Sequence, residues 1–428
     1  MIKKPFFSFG NPKLKYPVIQ NLRKETEKEI PVPETVTVHL KRAFSPIDED
    51  ILKKGDIVKT GQRISVDSED NEYFISPVTG TISNITEYIG YLSRSYTSIS
   101  IKTDSEEKTD EEFKTIKGTA SPENAVKYLQ DLPGCHDFKS FLNRETPLES
   151  IIIEGIDDDL LVTTNQILLS ARIEDIKEGA KLLREITGAE KVMIVTTPEL
   201  AGKAGGTGVE VYEVEPVYPD ALPKMIMKKV LGRVVPAGKS CEDLGVGFIK
   251  AEAVVALAEA FEQGNPPIQK VVTVIEKEGI SKNINARIGT PVKKVLEELG
   301  INIEHGDRII IGGPMRGRSI YSEDSPILAD TDAIMVQDHG VIQFSADTPC
   351  INCGECVRVC PARIPVNMLV RLLENSLYEE AAKEYDMLSC IECGLCAYVC
   401  VAKIPIVHYI MLGKHELDKL KSMEESNA

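Results

Sequence analysis

Eight cysteines near the C-terminal end of the 428-residue chain fall into two runs with one spacing. Cys350, Cys353, Cys356 and Cys360 form C-x2-C-x2-C-x3-C, and Cys390, Cys393, Cys396 and Cys400 repeat it 40 positions later. Three thiolates set two residues apart wrap one face of an iron–sulfur cube, and the fourth ligand comes from elsewhere. Structural zinc instead uses pairs of C-x2-C split by longer loops. A disulfide framework belongs to small secreted chains, and this chain is long and shows no export signal. The spacing therefore predicts two [4Fe–4S] clusters. The first run ends in Cys360-Pro361, the usual stop after a fourth ligand, whereas the second ends in Cys400-Val401.

In proteins with two such runs the fourth cysteine crosses over to the other cube. Cys350, Cys353, Cys356 and Cys400 would then hold cluster 1, and Cys390, Cys393, Cys396 and Cys360 cluster 2. Two cysteines lie outside the runs. Cys135 follows a Pro-Gly pair and precedes His136, where an imidazole could lower its pKa and make it a redox thiol. The plainer alternative is an inert free cysteine. Cys241 has an acidic neighbour, Glu242, and reads as structural.

The elements that must position these thiols need several domains, because the chain is too long for one small cluster-binding unit. An apolar share of 42% can bury real cores, and the net charge of −16 argues against nucleic acid and anionic membrane surfaces. No apolar run reaches the length of a membrane span. Labile clusters without an export signal suggest the cytoplasm, with docking at the inner face of a membrane left open.

Residues 1–31 mix Lys, Pro and Glu without period and read as an arm; residues 32–103 carry short strands and glycine turns. There, Lys54 to Gln62 and Ser76 to Ile82 look like the paired motifs of a lipoyl- or biotinyl-type barrel. The hairpin between them, Val66 to Glu72, has no lysine to modify. Residues 104–117 read as an acidic, solvated linker and residues 118–268 as a Rossmann-like α/β domain. In the latter, Ile151 to Ile153 and Lys191 to Thr196 are strands, while Gln166 to Thr187 and Leu222 to Leu231 are helices. The glycine loop Gly202 to Gly208 follows a helix and enters a strand, the wrong order for a phosphate loop. Residues 269–336 fit a small β-grasp module, with Lys270 to Val274 and Arg308 to Ile311 as strands around a helix, Pro291 to Leu299. Residues 337–415 form a helical cluster-binding domain built on an internal repeat, with helices over Val366 to Glu374 and Leu377 to Tyr385, and residues 416–428 are a charged tail. The whole is a multidomain α/β chain.

These parts in this order resemble the RnfC-like family, over about residues 32–412. The anchors are the two barrel motifs, Arg287-Ile288-Gly289-Thr290-Pro291, Gly312-Gly313-Pro314-Met315 and the doubled cysteine run. The resemblance implies an N-terminal barrel, a Rossmann-like flavin domain, a soluble-ligand-binding β-grasp (SLBB) module and a helical ferredoxin domain. It also implies that electrons from NADH pass through FMN to the clusters. At the flavin motifs this chain departs from the family pattern. The family's G-G-A-G-F-P-T loop corresponds to Leu129 to Phe138, with one glycine left and Asp131 in it. Its G-A-E-x-E-P-Y-L-T run reads Gly155 to Thr163 here, and its N-V-E-T reads Lys250-Ala251-Glu252-Ala253. FMN is therefore not expected.

A flavin-poor branch, the proline reductase-associated (PrdC-like) electron-transfer proteins, looks similar in this respect. The expected function is electron transfer, ultimately from an NADH-oxidising donor, through two [4Fe–4S] clusters to a partner reductase, D-proline reductase in that branch. Two alternatives stand beside it. One is an FMN-containing, NADH-oxidising peripheral subunit of a membrane Rnf complex; the other is a ligand-sensing SLBB protein with structural clusters.

Overall fold

The computed structural model describes residues 12–19, 27–41, 51–66, 72–135, 137–142, 144, 147–342 and 348–426. His136 and the tip of the 66–72 hairpin lie outside them.

The organising layer is a four-stranded parallel sheet in the order Glu210–Glu213, Lys191–Thr196, Ser150–Glu154, Val246–Lys250. Its run of consecutive isoleucines follows from burial on both faces. Side chains alternate along a strand, so Ile151 and Ile153 enter the core under the helices Thr164–Ala171, Ile173–Thr187 and Ala251–Ala258. Ile152 enters a second core with Tyr218, Ile226 and Leu395. The single helix expected over Gln166 to Thr187 breaks at Arg172. The Arg172 backbone leaves helical geometry (φ −121°, ψ 41°), and its guanidinium bonds Asp175 and Glu259 at 2.7 and 2.5 Å. The helix at 223–229 matches its expected place, while the strand Val246–Lys250 and the helix after it were not foreseen.

An antiparallel sheet joins Thr35–Leu40, Ser95–Thr103, Gly80–Ile89 and Ile57–Val58, and the hairpin Arg63–Ser65/Tyr73–Ile75 closes over its core of Val36, Ile82, Ile99 and Ile101. A six-stranded sheet surrounds Gln269–Ile275 and carries the helix Val292–Leu299.

Two expectations about solvated segments need correcting. The 104–117 stretch is not a free spacer: Phe113 and Ile116 are each 1% exposed in the α/β core, and Thr60 pairs with Thr109. Its acids face water, but two apolar residues on one turn have a core within reach. The N-terminal arm is likewise recruited. Lys28–Glu29 adds a parallel edge strand to the six-stranded sheet, and Tyr16 donates its amide to the Pro216 carbonyl and is buried beside Tyr218. The charged tail continues the helix Ile406–Ser426. Among the described residues, no helix is long and apolar enough to cross a membrane.

Candidate metal centre and the neighbouring switch point

The cysteine repeat folds as a repeat. The short helices Glu355–Arg358 and Leu395–Val399 each start after a left-handed glycine, Gly354 (φ 74°) and Gly394 (φ 73°). Asn352 and Glu392 (φ 56° and 55°) and Arg363 and Lys403 (both 57°) share that conformation at matching positions. Chains of left-handed residues turn backbone amides inward, toward groups that accept hydrogen bonds. The Glu392 amide does so, donating to Cys390 Sγ at 3.4 Å.

Cys350, Cys353, Cys356 and Cys400 line one small cavity, with Ile351, Val370, Ile404 and Ile406 in its wall beside Glu355 and Asn367. Four thiols around one small pocket are the donor set an iron–sulfur cube needs, and soft sulfur suits iron of this kind. Near the second seat, Cys360 lies close enough to Cys390 and Cys393 for a charge on it to raise their pKa values. Without metal, burial pushes the Cys356 and Cys393 thiols each up to about 12, so both hold their protons. Iron binding would release those protons.

The two seats differ in surroundings. Tyr218 donates its hydroxyl to the Cys393 carbonyl at 2.6 Å, and Cys393 and Leu395 belong to the core beneath the parallel sheet, with Ile391 packed against it. The matching Ile351 of the first repeat is 53% exposed, and Val401 is 38% exposed.

The parallel strand order reverses direction between Ser150–Glu154 and Val246–Lys250, and ligands of such sheets bind outside the carboxyl ends at that point. The three segments compared with flavin motifs meet there. Gly155 to Thr163 follows one strand and Lys250 to Ala253 the other; Gly134 stacks on Lys250 and Glu252 and donates its amide to the Ala329 carbonyl. Ion pairs fill the crevice. Lys250 pairs with Asp332, and Lys270, 0% exposed, pairs with Glu252, whose other oxygen accepts the Val271 amide at 2.7 Å. Burial works to raise the pKa of Asp332, but Lys250 and Lys270 together hold it below the usual carboxylate value. Burial, with help from Asp158, pushes Glu154 up to about 8.

Beside this network, a cavity of about 220 Å³ is lined by Asp158, Asp159, Asp330, Asp332 and Glu392 against Arg316 and Arg318. Asp159 accepts the amides of Met315 and Arg316 at 3.1 and 2.8 Å. The Gly312-Gly313 turn thus already holds a carboxylate, and a Cβ on Gly313 would lie 2.5 Å from the Asp159 carboxyl carbon.

Cys135 lies in a tight turn. Its amide and carbonyl pair with Leu132, and burial, with Asp131 and Asp137 adding to it, pushes the thiol up to about 12. The imidazole that was to lower it belongs to His136, outside the described residues. Cys241 is buried. Sequence reasoning missed Lys270, Asp332 and Lys414. A lysine opening the apolar run Val271 to Val274 was the one available hint.

Residues 342–401 match the family model for a 4Fe-4S dicluster domain. Across 409 residues the chain is 29% identical to the C subunit of a proton-translocating ferredoxin:NAD(+) oxidoreductase complex of Clostridium ljungdahlii, covering 90% of this chain and 89% of that one. It is 26% identical to the C subunit of an ion-translocating oxidoreductase complex of Rhodobacter capsulatus (85% and 75% covered). The C subunit of the Na(+)-translocating ferredoxin:NAD(+) oxidoreductase complex of Acetobacterium woodii is also 26% identical (81% and 84% covered). Among solved structures, an NAD+-reducing [NiFe]-hydrogenase in the H2-reduced state aligns with a TM-score of 0.44 at 11% identity, over 70% of this chain and 61% of that chain. In its dicluster segment and along most of its length, this chain is thus similar to the C subunits of ion-translocating oxidoreductase complexes.

Proposed function

We propose that the chain is an electron-transfer subunit that holds two [4Fe–4S] cubes, one on Cys350, Cys353, Cys356 and Cys400, the other on Cys390, Cys393, Cys396 and Cys360. The observation that carries this is the single cavity ringed by Cys350, Cys353, Cys356 and Cys400. A run folded on itself would bring Cys360 rather than Cys400 to that wall. When bound, the cubes supply one-electron chemistry at low potential. The chain's own residues shape their seats: Gly354 and Gly394 turn the ligand loops, and the Glu392 amide bonds a ligand sulfur. Tyr218 fixes the second seat to the α/β domain. We read the 32–103 region as a lipoyl-like barrel and the 269–336 region as an SLBB β-grasp, each serving as scaffold.

We further propose that the chain works without FMN. A flavin phosphate needs backbone amides and positive charge. At the switch point, Asp159 occupies the Met315 and Arg316 amides, and carboxylates outnumber guanidiniums in the adjoining cavity. Electrons originating from NADH would arrive through a donor protein and leave to a partner reductase. The relatives named above are subunits of ion-translocating complexes, which supports a peripheral place on such a complex at the inner membrane face. None of those named is a proline reductase component, so D-proline reductase is the narrower form of the partner proposal. Burial of Cys135 argues against a thiolate relay there.

The test is one anaerobic preparation examined by absorbance, iron and flavin assay. About eight irons per chain and no flavin are expected. Stoichiometric flavin with direct bleaching by NADH would instead establish the NADH-oxidising subunit.

A further inference from the structure

Among the differences between the two halves of the repeat, one pair of positions bears directly on a ligand turn. In the second half, Lys414 donates to the Glu392 carboxylate at 2.6 Å and to the Cys390 carbonyl at 2.8 Å. Its side chain is 20% exposed and that of Glu392 33%. In the first half the residue matching Glu392 is Asn352, whose side-chain oxygen accepts from the Asn367 amide at 2.9 Å. The residue matching Lys414, 40 positions earlier, is Glu374, which is exposed. So the turn after Cys350 is closed by two neutral amides and the turn after Cys390 by an ion pair, while the first run carries its own pair, Glu355 with Arg358, further along.

The conformations make the difference pointed. Asn352 and Glu392 are both left-handed, a conformation Asn tolerates and Glu does not favour. Glu392 needs an external hold, and Lys414 provides it from the helix Ile406–Ser426, gripping both ends of the Cys390–Glu392 turn at once. That turn aims the Glu392 amide at Cys390 Sγ. Hydrogen bonds to cluster sulfurs and nearby charge set cluster potentials.

We infer that Lys414 is a positioning and tuning residue for the seat formed by Cys390, Cys393, Cys396 and Cys360, offsetting the Glu392 charge and holding that cube at a higher potential than Glu392 alone would allow. The inference rests on the two-cluster reading. Without Lys414, an uncompensated carboxylate sits in the ligand loop and disfavours the extra electron; without both, the turn carries no charge, as the Asn352 turn does not.

The experiment is a redox titration followed by electron paramagnetic resonance on the full-length, anaerobically reconstituted chain, with iron counted in each sample. Lys414→Gln is expected to lower one of two midpoint potentials. The shift should cut the reduced-to-oxidised ratio at fixed potential about tenfold, about 59 mV for one electron. The other potential stays where it is. Lys414→Arg should restore the wild-type value, and Lys414→Gln with Glu392→Gln should return most of the shift. Glu374→Gln, the mirror position, should move neither. Wild-type protein lacking a second cube would overturn the cluster reading, and the inference with it. Two cubes in both proteins with potentials indifferent to Lys414→Gln would overturn the inference alone. A double variant shifted as far as the single one would also overturn it, since charge would then not be the cause.

Discussion

Glu154 ends the strand Ser150–Glu154 at the switch point, and replacing it with glutamine should change how stability depends on pH. The carboxyl is 7% exposed, and burial moves its pKa from the ordinary 4.5 to about 8. Asp158 adds to the shift while Lys250 opposes it. A folded-state pKa above the unfolded one means that the native chain keeps a proton the unfolded chain releases. The contribution to stability is therefore fully present below pH 4.5 and is lost as pH rises toward 8. Between the ordinary value and pH 7 the loss amounts to roughly 3 kcal/mol at about 1.4 kcal/mol per unit, an upper figure for a group with charged neighbours.

Glutamine has the same shape as the protonated acid and cannot ionise. Its own burial cost is the same at every pH, so comparing pH values cancels it. Urea unfolding of anaerobic wild-type and Glu154→Gln protein, followed by far-ultraviolet circular dichroism at pH 5 and pH 8, measures the difference. The wild type should lose roughly 3 kcal/mol more than the variant across that interval. Asp157 and Asp159, each pushed up to about 6 by burial, add the same slope to both proteins. Parallel pH profiles would refute the reasoning. Glu154 would then be ionised in place, and the switch point would be wetter and more open to a charged ligand than its ion pairs imply.

Other perturbations address the neighbouring features. Cys353→Ser and Cys400→Ser should abolish the same paramagnetic signal, and Cys393→Ser and Cys360→Ser the other, each leaving about four irons per chain; Cys400→Ser acting together with Cys393→Ser would exclude the crossover. Cys135→Ser should leave electron delivery unchanged, and Cys135 should alkylate far more slowly than an exposed thiol. Its rise from 9.0 to about 12 means roughly a thousandfold less thiolate. Asp332→Asn should destabilise the chain by about 3 kcal/mol in the same urea assay, because Lys250 loses its ion-pair partner inside the protein and Lys270 loses one of its two carboxylates. No loss in that variant would mean that water already reaches Lys250.

Much of the scaffold was legible because its signals are local. Ile151 to Ile153 could only be a strand buried on both faces, and the helices at Val366–Glu374 and Val292–Leu299 announce themselves by period. The thiols were legible because ligand spacing is a property of adjacent residues. What stayed hidden depends on distant partners. Nothing near Phe113 says that a core is waiting for it, so an acidic run looked like a spacer. Likewise Asp332, Lys250 and Lys270 stand apart in sequence, and only the fold makes them one ionic network.

The repeat adds a final step to that argument. Identical thiol spacing implies identical cubes, yet the two seats face different media. Cys393 and Leu395 are packed under the parallel sheet, while Ile351 and Val401 stand in solvent beside Cys350 and Cys400. A cube bound in the inner seat would have less water beside it to stabilise added charge, and burial alone would depress its potential. One in the outer seat would gain that stabilisation from solvent. An internal cation is what could bring the inner seat back toward its twin, and Lys414 stands at that loop, where the outer half has an exposed acid, Glu374. Duplication accounts for the matching sulfur ligands; the differing loop closures fit the difference in burial.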